Sequence, residues 1–277
     1  MLANKVALIT GSSRGIGKAI AIRLAQEKCN IIIAAKSEVE NPKLPGTIYT
    51  SAEEIRQKYN VSVLPHVLDL QYKDSIKELV RNSILQFKKI DFLINNASVL
   101  HWKSIDQTDT KKYNLMYNVN NKGTFYLSKL CLYHMKMNRF GHIIMHSPPL
   151  PSPNDISIYN KKTAYMISKY GMTMNAMGLA VENKGYNIAA NTIWPYTAIE
   201  SAATKNYKLG EKTKWRKPDI VADAVCNMLC EDPNSFTGNQ LIDEVYLRNK
   251  GFGDFAKYQC VPGHEPPPLL ETFHKMA

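Results

Sequence analysis

The absences in this chain narrow its class before any motif is considered. No apolar run approaches the roughly 20 residues that a membrane-spanning helix needs, so no span is expected. The five cysteines, Cys29, Cys131, Cys226, Cys230 and Cys260, are odd in number and irregular in spacing, with no secretory signal ahead of them. That excludes a disulfide framework and points to a reducing, intracellular compartment. Cys226 and Cys230 lie four apart on an expected helix, but no histidine is close by in sequence to complete a zinc set, so core packing is expected and no metal. The net charge is +11, yet no basic cluster exceeds pairs such as Lys88-Lys89 and Lys111-Lys112, which argues against a nucleic-acid partner. A basic surface suits an anionic cofactor or an acyl-CoA-like substrate instead. Neither a repeat nor a linker divides the chain.

What is present is an ordinary globular composition, 44% hydrophobic and 21% charged, over 277 residues. A single α/β domain of this length can bury a large core. The apolar run Val6 to Ile9 leads into Thr10-Gly11-Ser12-Ser13-Arg14-Gly15-Ile16-Gly17, which opens an amphipathic stretch from Lys18 to Glu27. Strand, glycine turn and helix in that order suit a dinucleotide. Gly11 permits a sharp turn, Gly15 and Gly17 leave room for a pyrophosphate, and the helix start offers free N–H groups.

Strand-like and helix-like stretches then alternate. Asn30 to Ala35, Val61 to Leu68, Asp91 to Asn95, Gly141 to Met145, Asn187 to Ile193 and Gln240 to Asp243 read as further strands. Between them, helices are expected from near Ser51, where Ser51 and Glu54 make a capping box, over Asp74 to Phe87, Thr110 to Asn138, Thr163 to Glu182, and Pro218 to Cys230. Pro148 to Asn154 contains four prolines and reads as an exposed loop. Residues 251–277, with Pro266-Pro267-Pro268, read as an extended tail. The alternation predicts a doubly wound, Rossmann-type parallel sheet of about seven strands with helices on both faces and a ligand at the strands' carboxyl ends.

Tyr165 and Lys169 lie four apart at the start of the long helix, on one face. Bringing a phenol from its usual pKa of about 10 to about 7 takes roughly 4 kcal/mol, and a neighbouring ammonium works in that direction. Spacing alone is weak: Tyr246 and Lys250 repeat it where no other motif is near.

The glycine turn, Asn95-Asn96-Ala97, Val119-Asn120 with Gly123-Thr124-Phe125, and Tyr165 with Lys169 together resemble the short-chain dehydrogenase/reductase family, over roughly residues 5–200. Within it, Ser147-Pro148-Pro149-Leu150, Trp194-Pro195, Phe236-Thr237-Gly238-Asn239 and Pro262-Gly263-His264 are similar to a hydroxysteroid dehydrogenase-like subfamily. Its animal members carry a sterol-carrier domain after the reductase domain. This chain stops before one, so no lipid-carrier role is expected.

The resemblance implies that Tyr165 is the acid or base for an interconverting carbonyl and secondary alcohol, that Lys169 binds the nicotinamide ribose, and that Asn120 holds a water in the proton path. It gives Gly11, Ser12, Ser13, Arg14, Gly15, Ile16 and Gly17 to the cofactor's phosphates, Asn95 to supporting the cofactor and the neighbouring strand, and Asp69 to adenine, although a helix-cap reading of Asp69 stays open. Ser98 stands in the place of the family's glycine. Pro148 occupies the position of the substrate-orienting serine. Ser147 then either turns inward to replace it or leaves the site without one, the latter suiting an NADP(H)-binding scaffold or sensor with little turnover. At the end of the second strand Ala35 replaces the usual ribose-binding acid and Lys36 follows, so with Arg14 the charges favour NADP(H) over NAD(H); Glu38 is the competing ribose ligand.

Pro149, Leu150, Trp194 and Tyr196 are expected around an apolar, lipid-like or acyl substrate, with Ala198 to Arg216 as a lid. A homodimer or homotetramer through the outer faces of the two long helices is expected. The resemblance alone suggests a peroxisome or mitochondrion, and the cytoplasm otherwise. The ending His274-Lys275-Met276-Ala277 is not a peroxisomal Ser-Lys-Leu signal.

Overall fold

The structure, a computed structural model, describes residues 2–42, 44–151 and 156–269. In chain order the elements are β1 (Val6–Thr10), α1 (Gly15–Gln26), β2 (Asn30–Ala35), α2 (Ile48–Lys58), β3 (Val63–Val67), α3 (Lys73–Phe87), β4 (Phe92–Asn95), α4 (Thr110–Met116), α5 (Thr124–Asn138), β5 (Gly141–His146), α6 (Thr163–Glu182) and β6 (Ile188–Trp194). There follow β7 (Ala198–Ile199), α7 (Ala202–Asn206), β8 (Trp215–Arg216), α8 (Asp219–Met228), β9 (Gln240–Ile242) and α9 (Asp243–Asn249). Seven strands form one parallel sheet in the order β3-β2-β1-β4-β5-β6-β9, and β7 pairs with β8 apart from it. The chain winds outward from β1 to β3 and then crosses to β4. That reversal opens a crevice beyond the carboxyl ends of β1 and β4.

Alternate side chains of a strand face opposite sides of the sheet, and both sides here are covered. Ala7, Ile9, Ile31 and Ile33 pack with α1, α2 and α8. Their neighbours Leu8, Ile32 and Ala34 pack with α3, α5 and α6 on the other face. Ile31, Ile32 and Ile33 are all fully buried, which is why the run carries no polar alternation.

Three local expectations are corrected. Helix α2 starts before Ser51: Thr47 Oγ1 accepts from the Thr50 N–H (3.0 Å) and Thr50 Oγ1 from the Thr47 N–H (2.8 Å), so threonines close the capping box. Ser51 then lies inside the helix and donates to the Ser13 carbonyl (2.9 Å), while Glu54 pairs with Lys18 at 2.6 Å. The stretch 110–138 is helical throughout, but Tyr117–Gly123 widens into a π-helical turn that buries Val119, Asn120 and Gly123. Pro148, expected in an exposed loop, is buried; that loop's residues 152–155 lie outside the described residues.

The stretch 251–269 is extended for the most part, yet it is tied down. Pro268 bridges Thr197, and the Leu269 N–H donates to the Tyr196 carbonyl at 2.7 Å. The fully buried Arg216 pairs with Glu265, holds Glu244 at 2.8 Å and donates to the Phe255 carbonyl at 3.0 Å. Residues 270–277 of the expected tail lie outside the described residues.

Asp243 anchors the same region. Its Oδ1 accepts from the N–H groups of Tyr196 and Glu244, both at 2.7 Å, and its Oδ2 has no partner among the described residues. Burial, with the Glu244 charge adding, pushes its pKa up to about 7 against these two N–H groups and Arg216. Because the folded value lies above the unfolded value of about 3.9, the folded chain keeps a proton that the unfolded chain loses. Stability therefore falls as pH rises through about 4 to 7. Asp243→Asn, which keeps the accepting oxygen without the charge, is expected to gain more in Tm over wild type at pH 8 than at pH 5, by about 3 °C or more. Thermal unfolding at both pH values checks this, and equal shifts would contradict it.

Candidate active site

The crevice is a cleft of about 520 Å³ bordered at one end by the glycine turn and at the other by Tyr165 and Lys169. Two glycines are dictated by close approach. Gly11 has φ +69° and a Cβ there would meet Ala97 Cα at 2.9 Å; a Cβ on Gly17 would meet the Gly11 carbonyl oxygen at 2.5 Å and Asn96 Nδ2 at 2.6 Å. Asn96 stitches the turn to β4, donating from Nδ2 to the Thr10 carbonyl (2.9 Å), while Thr10 Oγ1 accepts from the N–H groups of Asn96 (3.0 Å) and Ala97 (2.9 Å).

Helix α1 has no side-chain cap and no acid in its first turn, so its N–H groups and positive dipole end address the cleft. That cradle fits a pyrophosphate. Gly11, Ser13, Arg14, Gly15, Ile16 and Gly17 border the cleft. Ser12 does not: its buried hydroxyl donates to the Ile9 carbonyl (2.6 Å) and accepts from the Ala34 N–H (3.1 Å), so it braces β1 against β2.

At the adenosine end Ala35, Lys36, Ser37 and Asp69 border the cleft and Glu38 does not. Glu38 instead accepts from the Tyr49 hydroxyl at 3.3 Å. Lys36 pairs with Asp69 at 2.8 Å. Burial opposes the Asp69 charge, but the bonds from Lys36 and from the Gln71 N–H and amide outweigh it and hold the carboxyl below its usual range. Arg14 donates to Ser37 Oγ (2.8 Å) and to the carbonyls of Gly46 (2.7 Å) and Pro45 (3.1 Å), which fixes the guanidinium at the rim.

At the other end α6 presents Tyr165 and Lys169, both buried. Lys169 Nζ donates to the His146 carbonyl at 2.6 Å and lies 5.6 Å from the Trp194 ring centroid; burial brings its pKa down to about 7. Burial raises the Tyr165 phenol above its ordinary value, and the nearby Ser98 hydroxyl pulls it back in part. Trp102 meets the Tyr165 ring edge-on at 6.2 Å, and Tyr207, bonded to the Leu100 carbonyl at 2.7 Å, packs on Trp102. The other Tyr-x-x-x-Lys pair is elsewhere: the Tyr246 hydroxyl donates to Glu231 (2.8 Å), which also pairs with Lys250.

Besides Ser12, three residues given catalytic or cofactor roles from the sequence do not border this cleft. Asn120 is fully buried with its amide spent: Oδ1 accepts from the Val99 N–H (2.8 Å), and Nδ2 donates to the Val99 carbonyl (2.8 Å) and Ser168 Oγ (2.9 Å). Through these bonds it clamps a loop against α6. Asn95 donates to Ser128 Oγ (3.1 Å) and fastens β4 to α5. Ser147 is fully buried, its Oγ 2.9 Å from Thr173 Oγ1, which donates to the Pro148 carbonyl at 2.7 Å. The loop therefore turns Ser147 toward α6, not inward to the site.

Of the expected substrate contacts only Trp194 borders the cleft. Leu150 is exposed and held by Gln240 (2.7 Å), and Tyr196 contributes its backbone to Asp243 and Leu269. The segment 198–216 does wall the cleft, through Ala198, Ile199, Thr204 and Leu209 among others. Residues that sequence reasoning missed are Asn96, Ser98, His146 and Leu269. Asn96 lies in the Asn95-Asn96-Ala97 motif, where the resemblance gives a role to Asn95 alone, and Ser98 stands out in sequence only as a replacement for glycine. His146 gave no signal. Its Nδ1 lies 3.0 Å from Asn96 Oδ1, and since Asn96 Nδ2 is committed to Thr10, the proton is assigned to Nδ1. Burial, with Lys169 beside it, keeps this imidazole neutral, its pKa lowered to about 3.

Among the described residues no helix is long and apolar enough to cross a membrane. Residues 5–212 match the family model described as short chain dehydrogenase. Hydroxysteroid dehydrogenase-like protein 2 of Bos taurus is 44% identical over 273 residues, 98% of this chain and 63% of that protein. The chain thus spans less than two thirds of that relative's length. A short chain dehydrogenase from Mycobacterium thermoresistibile superposes with a TM-score of 0.89 at 40% identity, over 97% of this chain and 95% of that one. A metagenomic short-chain oxidoreductase, solved in complex with NADP, shares the fold at a TM-score of 0.71 and 24% identity, over 87% of this chain and 97% of that one. With the glycine cradle and the Tyr165–Lys169 pair at the two ends of one crevice, and a match over most of its length, the chain belongs to the short-chain dehydrogenase family.

Proposed function

We propose that the chain is an NADP(H)-dependent oxidoreductase that interconverts a carbonyl and a secondary alcohol on an apolar, lipid-like or acyl substrate. The observation that carries this reading is that Tyr165 and Lys169 border the same cleft as the phosphate cradle of Gly11 to Gly17. The bound nicotinamide would supply the hydride in reduction and accept it in oxidation. Tyr165 gives its phenolic proton to the substrate oxygen in reduction and takes one in oxidation. Lys169, fixed by the His146 carbonyl, holds the ribose hydroxyls. Val99, Leu100, Trp102, Trp194 and Leu269 keep that end of the cleft apolar, which excludes water from the transfer and favours a substrate with little charge near its carbonyl.

Screening NADPH oxidation against acyl-CoA, steroid, retinoid and quinone carbonyls tests the reading. The withdrawn Ser147 favours a second reading, an NADP(H)-binding sensor or scaffold. Tight NADPH binding without turnover on any member of the panel would select it.

We also infer that a second copy covers the outer faces of α5 and α6. Phe125, Tyr133 and Met137 on α5, and Ile167, Met174 and Val181 on α6, are between 45% and 72% exposed. Ile167, Met174 and Val181 recur every seven residues and so form one stripe. A homodimer or homotetramer is expected by light scattering at micromolar concentration, with Met174→Lys shifting it toward monomer; a wild-type monomer would refute the inference. The five cysteines are unpaired, which suits a reducing compartment.

A further inference from the structure

A carbonyl placed beside Tyr165 finds no hydroxyl on the strand that precedes α6. Pro148 has no donor to offer, and Ser147 is buried outside the cleft lining, where it is bonded to Thr173. A phenol alone leaves one lone pair of the reacting oxygen without a partner, and an oxygen that gains charge in the transition state is held best by two preset donors. The facing loop, after β4, supplies one. The Ala97 N–H is held by Thr10 Oγ1 at 2.9 Å, and both backbone groups of Val99 are held by Asn120 at 2.8 Å. Between these two fixed residues stands Ser98, its side chain open to solvent in the cleft wall that also carries Tyr165.

We propose that Ser98 is the second catalytic hydroxyl: together with Tyr165 it holds the substrate's carbonyl oxygen, in place of the serine that this chain has lost from the end of β5. The role gives a purpose to the two bonds that Asn120 makes to the backbone of Val99, since that clamp sets the position of the neighbouring hydroxyl. The Ser98 hydroxyl also opposes the effect of burial on the phenol, so the two groups are already within each other's influence in the free cleft. The inference rests on the oxidoreductase reading above.

The test uses the full chain, NADPH, and whichever carbonyl of the panel the wild type reduces fastest. Ser98→Ala is expected to lower kcat by about 10²-fold, with NADPH affinity by fluorescence titration unchanged. Ser98→Thr should recover part of the loss, and Ser147→Ala should leave kcat where it was. In Ser98→Ala the basic limb of the kcat profile for reduction should move to higher pH, because the phenol loses a hydrogen bond that favours its ionised form. A loop-shaping role would instead weaken NADPH in parallel with kcat and leave the limb in place. That result, or a Ser98→Ala enzyme with wild-type kcat, overturns the proposal. If Tyr165→Phe abolishes turnover while Ser98→Ala does not, this inference alone falls. No turnover by the wild type, or none lost in Tyr165→Phe, removes the reading beneath it as well.

Discussion

Replacing Tyr165 by phenylalanine is expected to lower kcat by about 10³-fold while NADPH binds as tightly as before. The substitution removes one oxygen from a buried ring and keeps the edge-on contact with Trp102, so the fold is retained. On the proposed reading NADPH would be held by other groups: the open start of α1, Lys36, and the Lys169 ammonium anchored on the His146 carbonyl. Chemistry and binding should therefore separate cleanly. Tyr246→Phe is the matched control, since that tyrosine repeats the same spacing to a lysine but serves Glu231 away from the cleft. Its kcat should stay at the wild-type value. Steady-state kinetics and NADPH fluorescence on both variants decide the matter. If Tyr165→Phe retains wild-type turnover, proton transfer does not run through the phenol; if it loses NADPH affinity in step with kcat, the hydroxyl belongs to cofactor binding.

The parts of this molecule that could be read from the sequence are those in which one chemical pattern has one structural solution. Asn30–Ala35 and Thr163–Glu182 were legible to the residue, because an unbroken β-branched run suits a strand covered on both sides, and a long apolar pattern with helical spacing suits a helix. The glycine turn was legible for the same reason, whereas the Tyr165–Lys169 pair, whose spacing Tyr246 and Lys250 repeat, stood out only through the motifs that accompany it. What escaped depends on which of several donors or acceptors wins. Thr47 and Thr50 capped α2 in preference to Ser51 and Glu54, since each hydroxyl reaches the other's N–H and Ser51 has the Ser13 carbonyl to serve. Ser147 had two directions to face, and its hydroxyl is bonded to the buried Thr173 hydroxyl outside the cleft lining. The bonds of the Asn120 amide to Val99 and Ser168 were not legible either, because those partners lie 21 and 48 residues away in sequence. The docking of 251–269 hangs on Arg216, Glu265 and Asp243, far apart in sequence and without periodicity, so no local pattern announced it.

Reversing the charge at the end of β2, Lys36→Glu, is expected to raise the NADPH Kd by about 10²-fold, the order that losing a charged hydrogen bond to phosphate gives, and to change the NADH Kd little. Among the described residues the adenosine end of the cleft is bordered by two cations, Lys36 and Arg14, and by one carboxylate, Asp69, which Lys36 pairs at 2.8 Å. Ala35 brings no acid to the ribose, and Glu38 faces Tyr49 outside the cleft. A 2′-phosphate arriving there would meet a positive end and would compete with Asp69 for the Lys36 ammonium. Lys36 is the better residue to change because Arg14 also fastens Ser37 and the carbonyls of Pro45 and Gly46. Arg14→Ala would loosen that turn and weaken both cofactors, whereas Lys36 is exposed and braces only Asp69. Since an exposed cation is screened by salt, the NADPH preference of the wild type should also shrink as ionic strength rises, and that of Lys36→Glu should not. Equal losses of NADPH and NADH in Lys36→Glu would show that these charges do not read the 2′-phosphate, and the cofactor preference would then have to come from the shape of the cleft around Ala35 and Ser37.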